Sequence, residues 1–104
     1  MFQSAITGSI DNRVEPRAEV YHRTRATMPD RQICSVLVVN ISASGLMLRS
    51  DALVAVGDRI QVMLPTAGEV AATVRWALGG RIGCQFDVAI PGPRYAAVLA
   101  KLDR

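Results

Sequence analysis

Five runs of this chain alternate apolar and polar residues with period two, the spacing at which successive side chains point to opposite faces of a β-strand. In 18–28 the even positions Val20, Thr24, Ala26 and Met28 are apolar or small, while Glu19, Tyr21, Arg23, Arg25 and Thr27 are polar or amphipathic. Arg59–Leu64 turns Ile60, Val62 and Leu64 to one side, and 81–86 does the same with Ile82, Cys84 and Phe86. Residues 69–76 place Val70, Ala72, Val74 and Trp76 together, so the pattern reads Trp76 as core, and Leu46 and Leu48 form the fifth, shortest run. Residues 33–39 are apolar almost throughout, which predicts a central strand covered on both faces.

Met28-Pro29-Asp30, Ser42–Gly45, Val56-Gly57-Asp58, Pro65–Gly68 and Gly79-Gly80 punctuate these runs with turn chemistry. Six strands with hairpin-length connections in so short a chain predict an all-β fold, a small six-stranded antiparallel β-barrel, because closure removes exposed edges. After Pro91-Gly92 the period changes. Tyr95, Val98, Leu99 and Leu102 fall at i, i+3, i+4 and i+7 with Pro93 near the start, predicting a short C-terminal helix. Its apolar stripe calls for a cover, the barrel mouth in preference to a second subunit. The expected organisation is a flexible N-terminal arm over 1–11, a barrel over 12–90 and the helix over 91–104.

The chain has 104 residues, half of them apolar and a fifth charged, which is enough for one domain with one core. No apolar run approaches the ~20 residues of a membrane span, and no basic-then-apolar leader opens the chain, so a cytoplasmic protein is expected. Cys34 and Cys84 sit in apolar runs without ligand spacing and read as reduced, buried thiols. His22 is the single histidine and falls on an inward face, which leaves no metal site or histidine-paired triad to predict. Asp30, Asp51, Asp58 and Asp87 are scattered through turns and strand ends. No catalytic residue is assigned, and the chain is read as a non-enzyme needing no cofactor.

Chemistry concentrates in two short motifs, Arg13-x-x-x-Arg17 before the first run and Asn40-x-Ser42-x-x-Gly45 after the second. Each guanidinium offers bidentate donors to a phosphate or to the O6/N7 edge of guanine. Four residues of extended chain span ~13 Å, enough for the two arginines to reach different groups of one ligand. Pro16 holds Glu15 extended and partly pre-organises this arm.

With Gly57-Asp58, Val74-Arg75-Trp76 and Ile82-Gly83-Cys84-Gln85-Phe86 in the same order, the stretch from Asn12 to Val88 resembles the PilZ domain family, bacterial receptors for cyclic di-GMP. The resemblance implies the same barrel, cyclic di-GMP as ligand, and Arg13, Arg17, Asn40, Ser42 and Gly45 as its site. Asn40 would meet a guanine edge, Ser42 a phosphate or backbone, and Gly45 would serve through positive φ or close approach. Asn12, where a further basic residue would stand, leaves one fewer cation for a doubled ligand. On this reading the ligand orders the arginine arm over the barrel and alters a surface read by a downstream protein partner.

Two other functions compete. One is a PilZ-type adaptor with weak or no nucleotide binding, acting through exposed Met47, Met63 and the helix stripe. The other is a small basic barrel binding nucleic acid, which the net charge of +3 permits. It is disfavoured because only Tyr21 clearly offers an exposed aromatic beside basic residues. Arg23 and Arg25 read as solvated strand charges.

Overall fold

The computed structural model of the chain describes residues 15–102. Six antiparallel strands occur in it: β1 (Ala18–Thr27), β2 (Ile33–Ile41), β3 (Gly45–Arg49), β4 (Arg59–Leu64), β5 (Gly68–Leu78) and β6 (Arg81–Phe86). They close into a barrel in the order β1-β2-β3-β6-β5-β4, with β4 pairing back onto β1 through Ala26 opposite Val62. A single helix, α1 (Gly92–Lys101), follows. The all-β barrel with its short C-terminal helix is the architecture the alternation predicts.

The interior is filled by the inward half of each run: Val36, Val38, Leu48, Ile60, Val62, Leu64, Val74 and Ile82 are all essentially inaccessible. Each such aliphatic contributes about 1.5–3 kcal/mol by leaving water. The helix covers the end where β2 passes to β3. Val98 and Leu102 belong to the core, Tyr95 and Leu99 pack against it, and the Tyr95 hydroxyl donates to the Ile41 carbonyl at 3.2 Å. The stripe therefore has its cover within this chain.

At the other end, β3 and β4 are not neighbours, so residues 50–58 must cross the barrel mouth, and Ala52 and Val54 pack onto the core on the way. Asp58 fixes this crossover. Its carboxylate accepts from the Ala55 N–H at 2.9 Å, while Gly57 N–H donates to Val74 O and Val74 N–H to Asp58 O, both at 2.8 Å. Gly57 adopts φ 95°, which explains a glycine there.

The central-strand reading of 33–39 needs correcting. In a closed barrel every strand has two neighbours and one outer face, and Ile33 is exposed at the strand's start. The continuous apolarity has a local cause instead: Leu37 points outward yet is only 5% exposed, flanked across the strands by Arg23 and Arg49. Met47 and Met63, expected to be exposed, are half-buried.

Candidate functional site

Strict alternation from Val36 and Val38 would send Asn40 into the barrel. One extra residue prevents this: β2 pairs Val38 with Leu48 and Asn40 with Met47, so that Val39 is bulged against β3. Beyond the bulge Asn40 faces outward, half-buried, and Ile41 returns to the core with no exposure. Bulges re-aim side chains in this way beside functional sites.

The same device acts on β5. Val74 pairs with Cys84 but Trp76 pairs with Gly83, leaving Arg75 as the extra residue. Trp76 is thereby turned out of the core, 41% exposed, contrary to its register with Val70 and Val74. Both bulges serve one line on the outer wall, because Asn40, Met47, Gly83 and Trp76 are successive cross-strand neighbours. Gly83 makes room for the indole: a Cβ there would lie 2.1 Å from Trp76 Nε1.

Arg17, just ahead of β1, brings the two sequence motifs together. Its Nη1 donates to Asn40 Oδ1 at 2.6 Å. Arg13 lies outside the described residues. Ser42 is 3% exposed and closes the β2–β3 turn, its N–H donating to Gly45 O at 2.8 Å and its hydroxyl standing 3.5 Å from the same oxygen.

Gly45 has no positive φ, so only close approach explains it. A Cβ would meet the Cys84 carbonyl oxygen at 2.3 Å, which means the β3–β6 pairing itself requires glycine.

Glu15 was not singled out by its sequence context. Its carboxylate accepts from the Ser44 hydroxyl and from the Ser44 N–H at 3.3 Å, fastening the arm to the turn. The Ser44 hydroxyl, aided by Ser42, the Ser44 amide and the charge of Arg17, holds this carboxyl below its ordinary range despite some opposing desolvation. The arm next to Arg17 is thus already docked at residue 15.

These groups border an open concavity of about 250 Å³, lined among others by Arg17, Ser42, Ser44, Met47, Arg75 and Trp76. Arg75 Nε donates to Gln85 Oε1 at 2.9 Å on its rim. The floor is chemically quiet, since burial pushes the Cys84 thiol up to about 12 and keeps it protonated. Among the described residues no cluster of His, Cys, Asp and Glu is disposed to hold a metal ion. The surface offers cations, hydroxyls, an amide and an aromatic face, a set suited to an anionic, base-containing ligand.

The model of the PilZ domain matches residues 11–101, a span that contains both motifs and every strand described above. The chain belongs to the PilZ domain family. Among solved structures it is similar to the inhibitor of motility MotI/DgrA of Bacillus subtilis, with a TM-score of 0.63 and 20% identity. That likeness covers 88% of this chain and 50% of the other, so the chain spans half the length of that structure and shares its fold. No curated protein matches the chain. PilZ domains are ligand-binding and adaptor modules of cyclic di-GMP signalling rather than catalysts. Among the described residues of this PilZ domain, no helix is long and apolar enough to cross a membrane.

Proposed function

We propose that this PilZ domain is a cyclic di-GMP receptor whose site is the concavity between the arm and the Asn40–Trp76 line. The observation that carries the reading is the 2.6 Å bond from Arg17 to Asn40, because it joins residues 23 positions apart in sequence and Arg17 itself lines the cavity. Arg17 supplies a guanidinium to a phosphate or to a guanine edge, and Asn40 an amide to the same base. Trp76 offers a face on which a purine stacks, worth ~1–3 kcal/mol per base. Arg13 enters from the arm as the second cation, following the family motif.

The docked state of Glu15 bears on the energetics. Fixing a fully disordered ten-residue arm would cost ~10–20 kcal/mol, more than two bidentate contacts at ~1–3 kcal/mol each offset. Residues 15–17 already lie against the turn, so ligand binding does not have to meet the cost of ordering them. A ligand phosphate arriving at Ser42 and Ser44 competes with the Glu15 carboxylate for their donors, so the arm is rearranged rather than folded from nothing. The altered arm surface is what a protein partner would read.

Calorimetric titration with cyclic di-GMP tests this. Saturable binding near the micromolar range, ~−8 kcal/mol, is expected, with quenching or shift of the emission of Trp76, the single tryptophan. A folded wild-type protein that gives neither heat nor a fluorescence change leaves the adaptor reading in its place.

A further inference from the structure

A second line of outward side chains runs beside the proposed nucleotide site. Arg23 on β1, Leu37 on β2, Arg49 on β3, Arg81 on β6 and Leu78 on β5 are successive cross-strand neighbours, spanning five adjacent strands of the barrel. Neighbouring strands lie roughly 4.8 Å apart, so Arg49 and Arg81 stand side by side and Arg23 is about 10 Å from Arg49. Like charges directly opposite one another destabilise a sheet. The described residues show one side-chain ion pair, Arg59 with Asp87, and it lies away from this line. Among the described residues, the line's three arginines make one side-chain hydrogen bond, a long one from Arg23 Nη1 to Ser35 Oγ at 3.5 Å.

The line borders a cavity of about 440 Å³ that shares no residue with the concavity at Arg17. Its wall includes Tyr21, which is well exposed, together with Arg23, Leu37, Arg49 and a single acid, Asp51. Arg25, opposite Ser35, adds a further exposed cation on the same face. Because the barrel is closed, no strand edge is free here to recruit a partner by main-chain pairing. Recognition has to come from side chains.

We infer that this arginine line is a docking surface for an acidic segment of a protein partner, with carboxylates seated on Arg23, Arg49 and Arg81 and a side chain against Tyr21. The cations are all arginine, whose planar fork grips a carboxylate or a phosphate bidentately. Two features favour a protein segment over a nucleic-acid strand. Tyrosine and arginine are the residue types that dominate binding energy at protein interfaces. A single-stranded nucleic acid needs a succession of stacking platforms, and this line carries one aromatic. Binding here does not depend on the nucleotide reading, since the two cavities have separate walls.

The probe is a short fluorescent oligoglutamate peptide, titrated into the full chain at low salt, with single-stranded oligothymidylate as the rival. Arg23→Glu/Arg49→Glu is compared with Arg94→Glu/Lys101→Glu, an equal charge change on exposed residues of α1. The line variant is expected to weaken oligoglutamate about tenfold or more, ~1.4 kcal/mol per decade, and the helix variant by no more than about twofold. Arg17→Ala should leave oligoglutamate binding unchanged, and the line variant should leave cyclic di-GMP binding unchanged. Amide shift mapping on the wild type, with changes at Arg23, Leu37, Arg49 and Arg81, keeps the test valid if a variant misfolds. Equal loss in both charge variants, tighter binding of oligothymidylate, no oligoglutamate binding, or loss of cyclic di-GMP in the line variant would each overturn the inference.

Discussion

Two pairs of strands in this barrel obey different rules. Along β4 and β6 the alternation runs unbroken, and Ile60, Val62 and Leu64 join Ile82, Cys84 and Phe86 in one core. Along β2 and β5 it is broken once on each strand, at Val39 and Arg75. The regular wall builds stability. The bulged wall spends one residue per strand to move Asn40 and Trp76 from the inner to the outer parity, and both land on one cross-strand line above the cavity. An apolar interior and a polar site are thereby built from the same strands.

Two glycines on the strands between these bulges sharpen the contrast, because their missing Cβ atoms would meet different things. Gly45 faces the Cys84 backbone, which cannot yield without parting β3 from β6. Gly45→Val is expected to have the largest effect of any change at the site, a loss of about 3 kcal/mol in chemical denaturation. A Tm close to wild type would break the distinction between the two glycines. Gly83 faces the Trp76 ring, which can swing away. Gly83→Ala should therefore cost less, about 1 kcal/mol, while moving the tryptophan emission toward longer wavelength as the indole enters solvent.

Between these in size stands Arg17→Ala. Losing its charged hydrogen bonds is worth about 1.5–3 kcal/mol, a fall of roughly tenfold to a hundredfold in cyclic di-GMP affinity, with little change in Tm because the side chain is exposed. The counterpart in the core is Leu48→Ala. It should lower stability by about 2–5 kcal/mol and leave the affinity of the folded fraction unchanged.

The smallest effect belongs to Glu15. Its folded-state pKa is lowered from 4.5, so its carboxylate contributes stability that is fully present above that value and lost as pH falls through the lower folded value. Urea titrations at neutral pH and on the acid side of 4.5 should show a slightly weaker acid dependence in Glu15→Gln than in wild type. An unchanged acid limb would mean that the arm is not fastened to Ser44.

What could be read from the sequence follows the same division. The regular strands, the turns and the helix stripe were legible because burial on one face imposes a period that residue types report directly. The pairing of Arg17 with Asn40 was legible through two motifs that match a family. Trp76 was misread as core because a bulge adds a residue without leaving a trace in hydrophobicity; the available hint was Gly83, a small residue standing opposite a large one. Glu15 gave no signal at all, since its partners at Ser44 are 29 positions away. Gly45 was legible as important, but its reason, contact with a strand from the far end of the chain, is a tertiary fact.

The most direct test is a two-dimensional amide titration of the wild-type domain with cyclic di-GMP, which reads both outer lines at once. Saturable shifts are predicted at Arg17, Asn40, Ser42–Gly45 and the Trp76 indole N–H, with the regular wall around Ile60 and Val62 unmoved. Shifts confined to Arg23, Arg49 and Arg81, or no shifts at ligand concentrations far above the micromolar range, would contradict a receptor site built on the bulged wall.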